Sequence, residues 1–535
     1  MKYDKKIIRD KDKELKDIIL REINNLFEKN LIVSQLGNRG YSIYKVCLND
    51  KIIDYIKKEL TVKPFTQIQL SETQTFPIYM ESDKKIYVPR FWGIKIFGYP
   101  KSIKIEYGKS INLTFNGNLR DYQKTVLDSY LKAINFDTPE EKNKGDGSAL
   151  IELFTGAGKT VLALKILEVI KKKTIIFVHK TFLKNQWIER IYQYLPGAKI
   201  GTIQGQIIDI EDKDIVIAMI QSISMKSYPD SIFNDFGLSI YDECHHISSE
   251  TFGNCLRKCT TLYGLGLSAT MNRKDGLTHV FKMYLGDICN TQSKKEEEDN
   301  VLVKAINYNI YGDDEYSEIE RDYRGNIKYS CMISKLAKCD YRSDFIVNVM
   351  LNEISINNNQ QILLLAHQRC LLNYIFKSLE NKNMLDVGYY VGGMKDKDLK
   401  ISENKKILLA TYQMAAEGLD IKSLTTLILA TPKSDIVQSV GRILREKHEQ
   451  PLIIDIVDQH DCFISQFNKR KIFYNEKNYK IIKTDNEKYI EYFNRKHHEH
   501  NNDIWSEIVK REKRSTKKSI NLNENLDKLS CECLI

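Results

Sequence analysis

Residues 151–160 read IELFTGAGKT. A short apolar strand runs into a glycine-rich turn that carries one lysine and one hydroxyl. Gly156 and Gly158 let backbone N–H groups turn inward at a helix N-terminus, Lys159 supplies a point charge, and the Thr160 hydroxyl is of the type that ligates Mg²⁺. The Gly158-Lys159-Thr160 spacing is that of a phosphate-binding loop, completed by Thr155 and Ala157, with Leu153 where the pattern's first glycine belongs. The competing reading is a glycine-rich turn that opens a helix and holds no ligand, and the residues around it decide between the two.

From residue 148 onward, β-branched runs recur at spacings that leave room for a helix between them: ALIELF, TIIFVH, DIVIAM, LSIYD and YGLGLS. Such alternation predicts a parallel sheet flanked by helices. The charged stretch KKEEEDN at 294–300 interrupts the pattern, and a second series follows: VLVKAINYNI, QILLLAH, GYYV, KILLAT, TTLILA and LIIDIV. The fold class expected is therefore α/β, with two tandem lobes, each built on a parallel sheet. Residues 1–115 form an N-terminal accessory domain of mixed α+β type; 116–295 are the first lobe, 296–470 the second, and 471–535 a basic, partly disordered extension.

The bulk composition fits this division. At 535 residues the chain exceeds one ordinary core, given roughly 150 residues per domain. With 42% hydrophobic and 28% charged residues it is a folded, globular type. A net charge of +10 favours a polyanionic partner. Eleven scattered cysteines form no C-x-x-C pair, so neither a disulfide framework nor a zinc ribbon is indicated. The charged start MKYDKKIIRDKDKELKD and the lack of an apolar run of about 18 residues predict an intracellular, soluble protein with no membrane partner.

The second chemical signal is LSIYDECHH, where an apolar strand ends in Asp242-Glu243. At the carboxyl end of a strand neighbouring the loop strand, Asp242 can hold the water shell of Mg²⁺ while Glu243 polarises an attacking water. The plainer alternative is a solvated acidic pair. Cys244, His245 and His246 are consecutive and point apart, so they are not expected to hold a metal.

In order, TGAGKT, DECH, SAT (Ser268-Ala269-Thr270) and QSVGRILR (Gln438 to Arg445) resemble the motifs of superfamily 2 helicases and translocases. The resemblance extends to LRDYQ at 119–123, IAMIQSIS at 217–224 and TYQMAAEGLDI at 411–421, and covers about 350 residues, 116–470. It implies two RecA-like lobes, ATP and Mg²⁺ as cofactors, adenine reading by Gln123, nucleic-acid contact at Gln221 and Ser222, coupling through Ser268, Thr270 and Gln438, and an inter-lobe segment at Gly418 and Asp420. Arg273-Lys274-Asp275 follows SAT where helicases of the XPB type have an Arg-Glu-Asp element, and GRILR lacks the preceding His-Arg of DEAD-box RNA helicases. Arg273 and Lys274 are accordingly read as nucleic-acid contacts, and duplex DNA is favoured over RNA. YVPRFWG at 87–93 and KRKIFY at 469–474 are similar to helicases of large DNA viruses, including the transcript-release type, which implies transcription machinery as a partner.

A guanidinium delivered from a second lobe stabilises charge on a transferring phosphoryl group, worth about 10³ to 10⁵ in rate. Arg442 and Arg445, spaced one helical turn apart, are the candidates, alongside Lys159 and Glu243 as catalytic residues. The stretch NKRKIFYNEKNYKIIK mixes cations and aromatics; it either follows a nucleic-acid backbone or packs as the last helix and strand of the second lobe. Two rival classes are a nucleic-acid-binding module with a vestigial ATPase and the motor half of a restriction system. Intact Lys159, Glu243 and Arg445 oppose the first; neither flank holds a further catalytic carboxylate cluster, which opposes a nuclease.

Overall fold

The computed structural model describes residues 2–64, 75–139, 142–154, 156–244, 250–271, 276–292, 300–419, 421–446, 448–494 and 504–508. The chain divides into two compact units, the first made of Met1–Glu296 with Met394–Asp398 and Gln413–Lys422, the second of Glu297–Gly393, Leu399–Tyr412 and Ser423–Ile535.

In the first unit the five expected strands form where the apolar runs stand. The eight-stranded sheet has the order Ile207–Asp209, Ile200–Gln204, Ile215–Met219, Thr174–Val178, Leu238–Tyr241, Tyr263–Ser268, Ser148–Leu153 and Ile288–Gln292. Every pairing is parallel except that of the edge hairpin Ile200–Gln204 with Ile207–Asp209. The central strands Thr174–Val178, Leu238–Tyr241 and Tyr263–Ser268 are buried at every residue, as a sheet covered by crossover helices on both faces requires. Tyr263–Ser268 reads YGLGLS because its neighbours leave no room for larger residues: a Cβ on Gly266 would lie 2.3 Å from the Leu150 side chain.

This order corrects one expectation. The strand that ends at Asp242 does not neighbour the loop strand; Tyr263–Ser268 lies between the two and pairs with both. Sequence order hides this, because the intervening strand comes last of the three.

Residues before the first lobe carry their own five-stranded sheet, ordered Met80–Glu81, Lys85–Val88, Gly40–Tyr44, Ser34–Gly37 and Ser102–Ile103. It is antiparallel except for the last pairing. Helix Asp50–Glu59 beside it starts where the Asn49 side chain accepts the Ile52 N–H at 2.9 Å. One hydrophobic core runs from Ile19 through to Leu285, so this sheet and the first lobe share an interior. Arg90, in the YVPRFWG stretch, is buried and donates to the carbonyls of Gly145, Thr261 and Leu262, which ties the two sheets together.

The second unit repeats the architecture. Its sheet runs Val387–Tyr390, Ile407–Thr411, Gln361–Ala366, Leu424–Leu429, Leu452–Asp458, Leu302–Tyr308, Lys480–Asp485 and Ser506–Glu507, parallel throughout except at the last pairing. Helix Asp461–Glu476 crosses residue 470, and strand Lys480–Asp485 pairs with Leu302–Tyr308, so the sheet extends past that expected boundary. The stretch NKRKIFYNEKNYKIIK thus packs as helix and strand. Among the described residues no helix is long and apolar enough to cross a membrane.

Two of this unit's buried arginines sit in buried ion pairs. Arg342 bonds Asp458 twice, at 2.6 and 2.8 Å, and also donates to the Ala430 carbonyl at 2.8 Å. Arg470 grips Asp455 with two 2.8 Å bonds, and the Tyr474 hydroxyl adds a third donor at 3.0 Å. Both carboxylates belong to strand Leu452–Asp458, whose sequence LIIDIVD therefore carries charge inside the core. Removing one member of such a pair leaves the other charge buried and alone, which costs about 3–5 kcal/mol. Arg342→Ala is expected to lose that much stability in urea unfolding followed by circular dichroism; a loss below about 1 kcal/mol would mean that water reaches Asp458.

Candidate nucleotide site

At the carboxyl end of strand Ser148–Leu153 the chain turns through Gly156 and Gly158, with φ of 85° and 75°. Helix Lys159–Ile170 starts directly behind Gly158, so its free N–H groups face the turn. Gly158 is needed for a second reason: a Cβ there would stand 2.7 Å from the Gln123 amide nitrogen. Gln123, buried on helix Asp121–Ala133, accepts the Arg120 N–H through Oε1 at 2.9 Å and donates from Nε2 to the Ala157 carbonyl at 2.9 Å. The Tyr122 hydroxyl donates to the same carbonyl at 2.8 Å. The loop is therefore held from the side by LRDYQ.

Lys159 opens the helix, and its Nζ lies 2.6 Å from Glu243 Oε1 across 84 positions of sequence. Both side chains are mostly covered. Glu243 sits at φ 48°, in the left-handed region, so the chain turns sharply at the end of strand Leu238–Tyr241. Asp242, 8% exposed, is bonded at both oxygens: Oδ2 accepts the Trp187 indole N–H at 2.9 Å and Oδ1 the Glu243 N–H at 3.0 Å. Burial, followed by the Glu243 charge, raises the Asp242 carboxyl above its ordinary pKa, against the opposing pull of Lys159 and Trp187. A carboxylate that is costly to keep charged in this way gains from a nearby cation.

Ser268 ends the intervening strand and closes a tight turn: its hydroxyl donates to the Thr270 carbonyl at 2.7 Å and accepts the Thr270 N–H at 3.1 Å. Gln221 Nε2 donates to the His179 carbonyl at 2.6 Å, and Ser222 Oγ accepts the Gly205 N–H at 2.8 Å. Thr160 lies in the first turn of the loop helix. Thr155, Arg273, Lys274 and Asp420, together with His245 and His246, lie outside the described residues, and of Gly418 only its place in helix Tyr412–Gly418 is described. Among the described residues no group of three His, Cys, Asp or Glu side chains is arranged to hold a metal ion.

In the second unit Gln438 and Arg442 lie on helix Val437–Ile443. The expected one-turn spacing of Arg442 and Arg445 on a helix is corrected: the helix ends at Ile443, Leu444 has left helical geometry, and Arg445 lies beyond it. Arg442 is buried, and the charges of both arginines bear on the Tyr390 hydroxyl, which donates to Glu403. Two positions were not singled out from sequence, Trp187 and Tyr122. Tyr122 stands inside LRDYQ, but a lone tryptophan on helix Thr181–Tyr194 has the signature of a core residue.

Residues 116–273 match the family described as type III restriction enzyme, res subunit. The chain is 34% identical over 470 residues to the "Putative ATP-dependent RNA helicase L396" of Acanthamoeba polyphaga mimivirus, covering 85% of this chain and 87% of that one. It is 26% identical over 389 residues to the "Putative helicase 161L" of Invertebrate iridescent virus 6, covering 70% and 85%. Among solved structures, S. cerevisiae Dbp5 bound to RNA and ADP BeF3 overlays with a TM-score of 0.46 at 12% identity, over 70% of this chain and 96% of that one. The chain belongs to the superfamily 2 helicases, related to those of large DNA viruses. Membership implies use of ATP, ordinarily with Mg²⁺.

The Trp187 bond to a buried carboxylate is of the charge-assisted kind, worth about 1.5–3 kcal/mol. Trp187→Phe is expected to lose about that much in chemical denaturation and to push the Asp242 carboxyl further up in an NMR titration. An unmoved titration would show that the indole does not stabilise the charge.

Proposed function

We propose that the chain is an ATP-driven nucleic-acid motor that hydrolyses ATP at the 155–160 loop and acts on duplex DNA. The observation that carries the ATPase half is the meeting of Lys159, Glu243 and the bonded, buried Asp242 beside a glycine turn at a helix N-terminus. Thr160 and Asp242 are the residues to hold Mg²⁺, which when bound neutralises phosphate charge. Lys159 has one ammonium to give. It pairs with Glu243 in the structure; on this reading phosphate takes the lysine, and the released Glu243 carboxylate accepts the proton of the attacking water. Arg442 and Arg445 take the charge-stabilising role, and Ser268, Thr270 and Gln438 the coupling role. The accessory domain before 116, the first lobe 116–295 and the second lobe, which begins at 296 and takes in strand Lys480–Asp485, are the working parts.

Glu243→Gln removes the base and the ion pair together while keeping the shape. It is expected to bind ATP and to turn it over at least about 10²-fold more slowly, whereas Lys159→Ala loses turnover and ATP affinity together. Turnover of Glu243→Gln within a few-fold of wild type in a phosphate-release assay would assign the base elsewhere.

The DNA half rests on the Arg273-Lys274-Asp275 stretch and on GRILR without a preceding His-Arg. RNA is the second reading, favoured by the name that the mimivirus relative carries. ATPase rates with duplex DNA, single-stranded DNA and RNA of equal length decide between them: duplex DNA is expected to stimulate most. Affinity should fall steeply with salt, since four phosphate contacts at a log-log slope of about −0.9 each cost ~10²-fold between 50 and 200 mM. Stronger stimulation by RNA would establish the RNA reading.

A further inference from the structure

The second unit holds a pocket that none of these motifs uses. It opens at the carboxyl ends of the parallel strands Leu302–Tyr308 and Lys480–Asp485, beside the edge strand Ser506–Glu507, and encloses about 350 Å³. Its walls include Asn307, Lys483, Thr484, Asp485, Lys488 and Trp505. The Trp505 indole is fixed in place: Tyr489 meets it edge to face at 6.2 Å, and the Lys304 ammonium, itself bonded to both Glu353 oxygens, stands 5.6 Å from its ring. Lys483 and Lys488 are exposed at the rim. Asp485 lies between them, 3.3 Å from Lys488 Nζ and accepting a 3.3 Å bond from Asn307 Nδ2. The Thr484 hydroxyl, in the same wall, is buried and has no hydrogen-bond partner.

These groups differ in kind, and one ligand chemistry uses the indole, the two ammonium groups and the carboxylate together. An aliphatic ligand would strip water from two ammonium groups and a carboxylate with nothing in return. A bare anion would leave the indole unused and would face Asp485. A nucleotide offers a flat ring for the indole, phosphates for the lysines, and amino or hydroxyl hydrogens for Asp485. The volume is of the size that ligand pockets take, from about 300 Å³ upward.

We infer that this pocket takes one nucleotide unit of a single nucleic-acid strand, with its base against Trp505 and its phosphates at Lys483 and Lys488. The inference rests on the reading of the chain as a nucleic-acid motor. It adds a strand-binding position at the far edge of the second sheet, outside the segments that the helicase resemblance assigns to the strand.

The chain provides its own probe. Of its three tryptophans, Trp92 and Trp187 are buried, at 5% and 2% exposure, while Trp505 is only partly covered. The full chain, without ATP, is titrated with a single-stranded DNA 12-mer, an RNA 12-mer and free uridine monophosphate. Tryptophan fluorescence and the anisotropy of labelled strands are read together. The expected result is saturable quenching by a 12-mer that is absent in Trp505→Phe/Lys483→Ala/Lys488→Ala and weak with the mononucleotide. The Lys483→Ala/Lys488→Ala variant, which changes only exposed side chains, is expected to weaken strand binding by at least about fivefold. Its salt slope should be shallower by about 0.7 for each phosphate that a lysine no longer neutralises. Quenching by the mononucleotide alone would assign the pocket to a free nucleotide and overturn the inference. Strand binding by anisotropy with unchanged fluorescence and unchanged affinity in the lysine variant would overturn it while leaving the motor reading intact. Absence of any single-strand binding would likewise overturn the inference, while the duplex-DNA motor reading stands or falls by its own ATPase comparison.

Discussion

A parallel sheet has neither a solvent face nor a hairpin, so each strand must be buried on both sides and reached by a crossover. Both units of this chain are built under that constraint, and the placement of the chemistry follows from it. All parallel strands point their carboxyl ends to one edge, and the loops that leave that edge bring polar residues from distant sequence together. Phe154 to Gly158, Asp242 to Cys244 and Ser268 to Met271 all leave it in the first unit. Lys159 and Glu243 touch across 84 residues because successive crossovers return the chain to the same rim. The strand Tyr263–Ser268, wedged between theirs, sets the gap that these side chains span.

Charge is treated differently in the two units, and the difference separates architecture from chemistry. In the second, Arg342 with Asp458 and Arg470 with Asp455 are fully buried and two-pronged, and each carboxylate accepts a further tyrosine hydroxyl, so both carboxylates are answered inside the fold although Arg342 Nη1 has no partner. In the first, Asp242 is bonded by two N–H groups, yet burial and the neighbouring Glu243 still raise its carboxyl. Lys159 and Glu243, mostly covered, keep 15% and 20% of their side chains in reach of solvent. A buried network whose carboxylates are answered holds a fold together. On the proposed reading, the site whose carboxylate remains costly is the one that exchanges partners.

The strands were legible because parallel sheets are written as continuous apolar runs: TIIFV, LSIY and YGLGLS are buried end to end. Their order across the sheet was not, since nothing in LSIYD or YGLGLS says which of them lies against IELF. Spacing also misled at Arg442 and Arg445, where three residues promised a helical turn but the helix stops at Ile443. KRKIFY shows the opposite difficulty. Its cations and aromatics are those of a nucleic-acid stripe, yet Arg470 and Tyr474 face inward to Asp455, a partner visible only once the sheet is closed. Trp187 was missed for the same reason: on a helix with a buried face, one ring nitrogen has no sequence signature.

Gln123 links these themes. The resemblance to helicases gives this glutamine to adenine, whereas the structure shows its amide nitrogen directed at the loop, 2.9 Å from the Ala157 carbonyl and 3.4 Å from that of Gly158. Gly158 has no side chain to keep the amide away, and Tyr122 adds a second donor to the same carbonyl. On the proposed reading, a base that engages Gln123 acts on a group already bonded to the phosphate loop. Recognition of the base and the shape of the loop then share one amide, and any preference of that amide between base and loop carbonyl is felt at both ends. On that reading, one side chain and one glycine connect the base of the nucleotide to the seat of its phosphates.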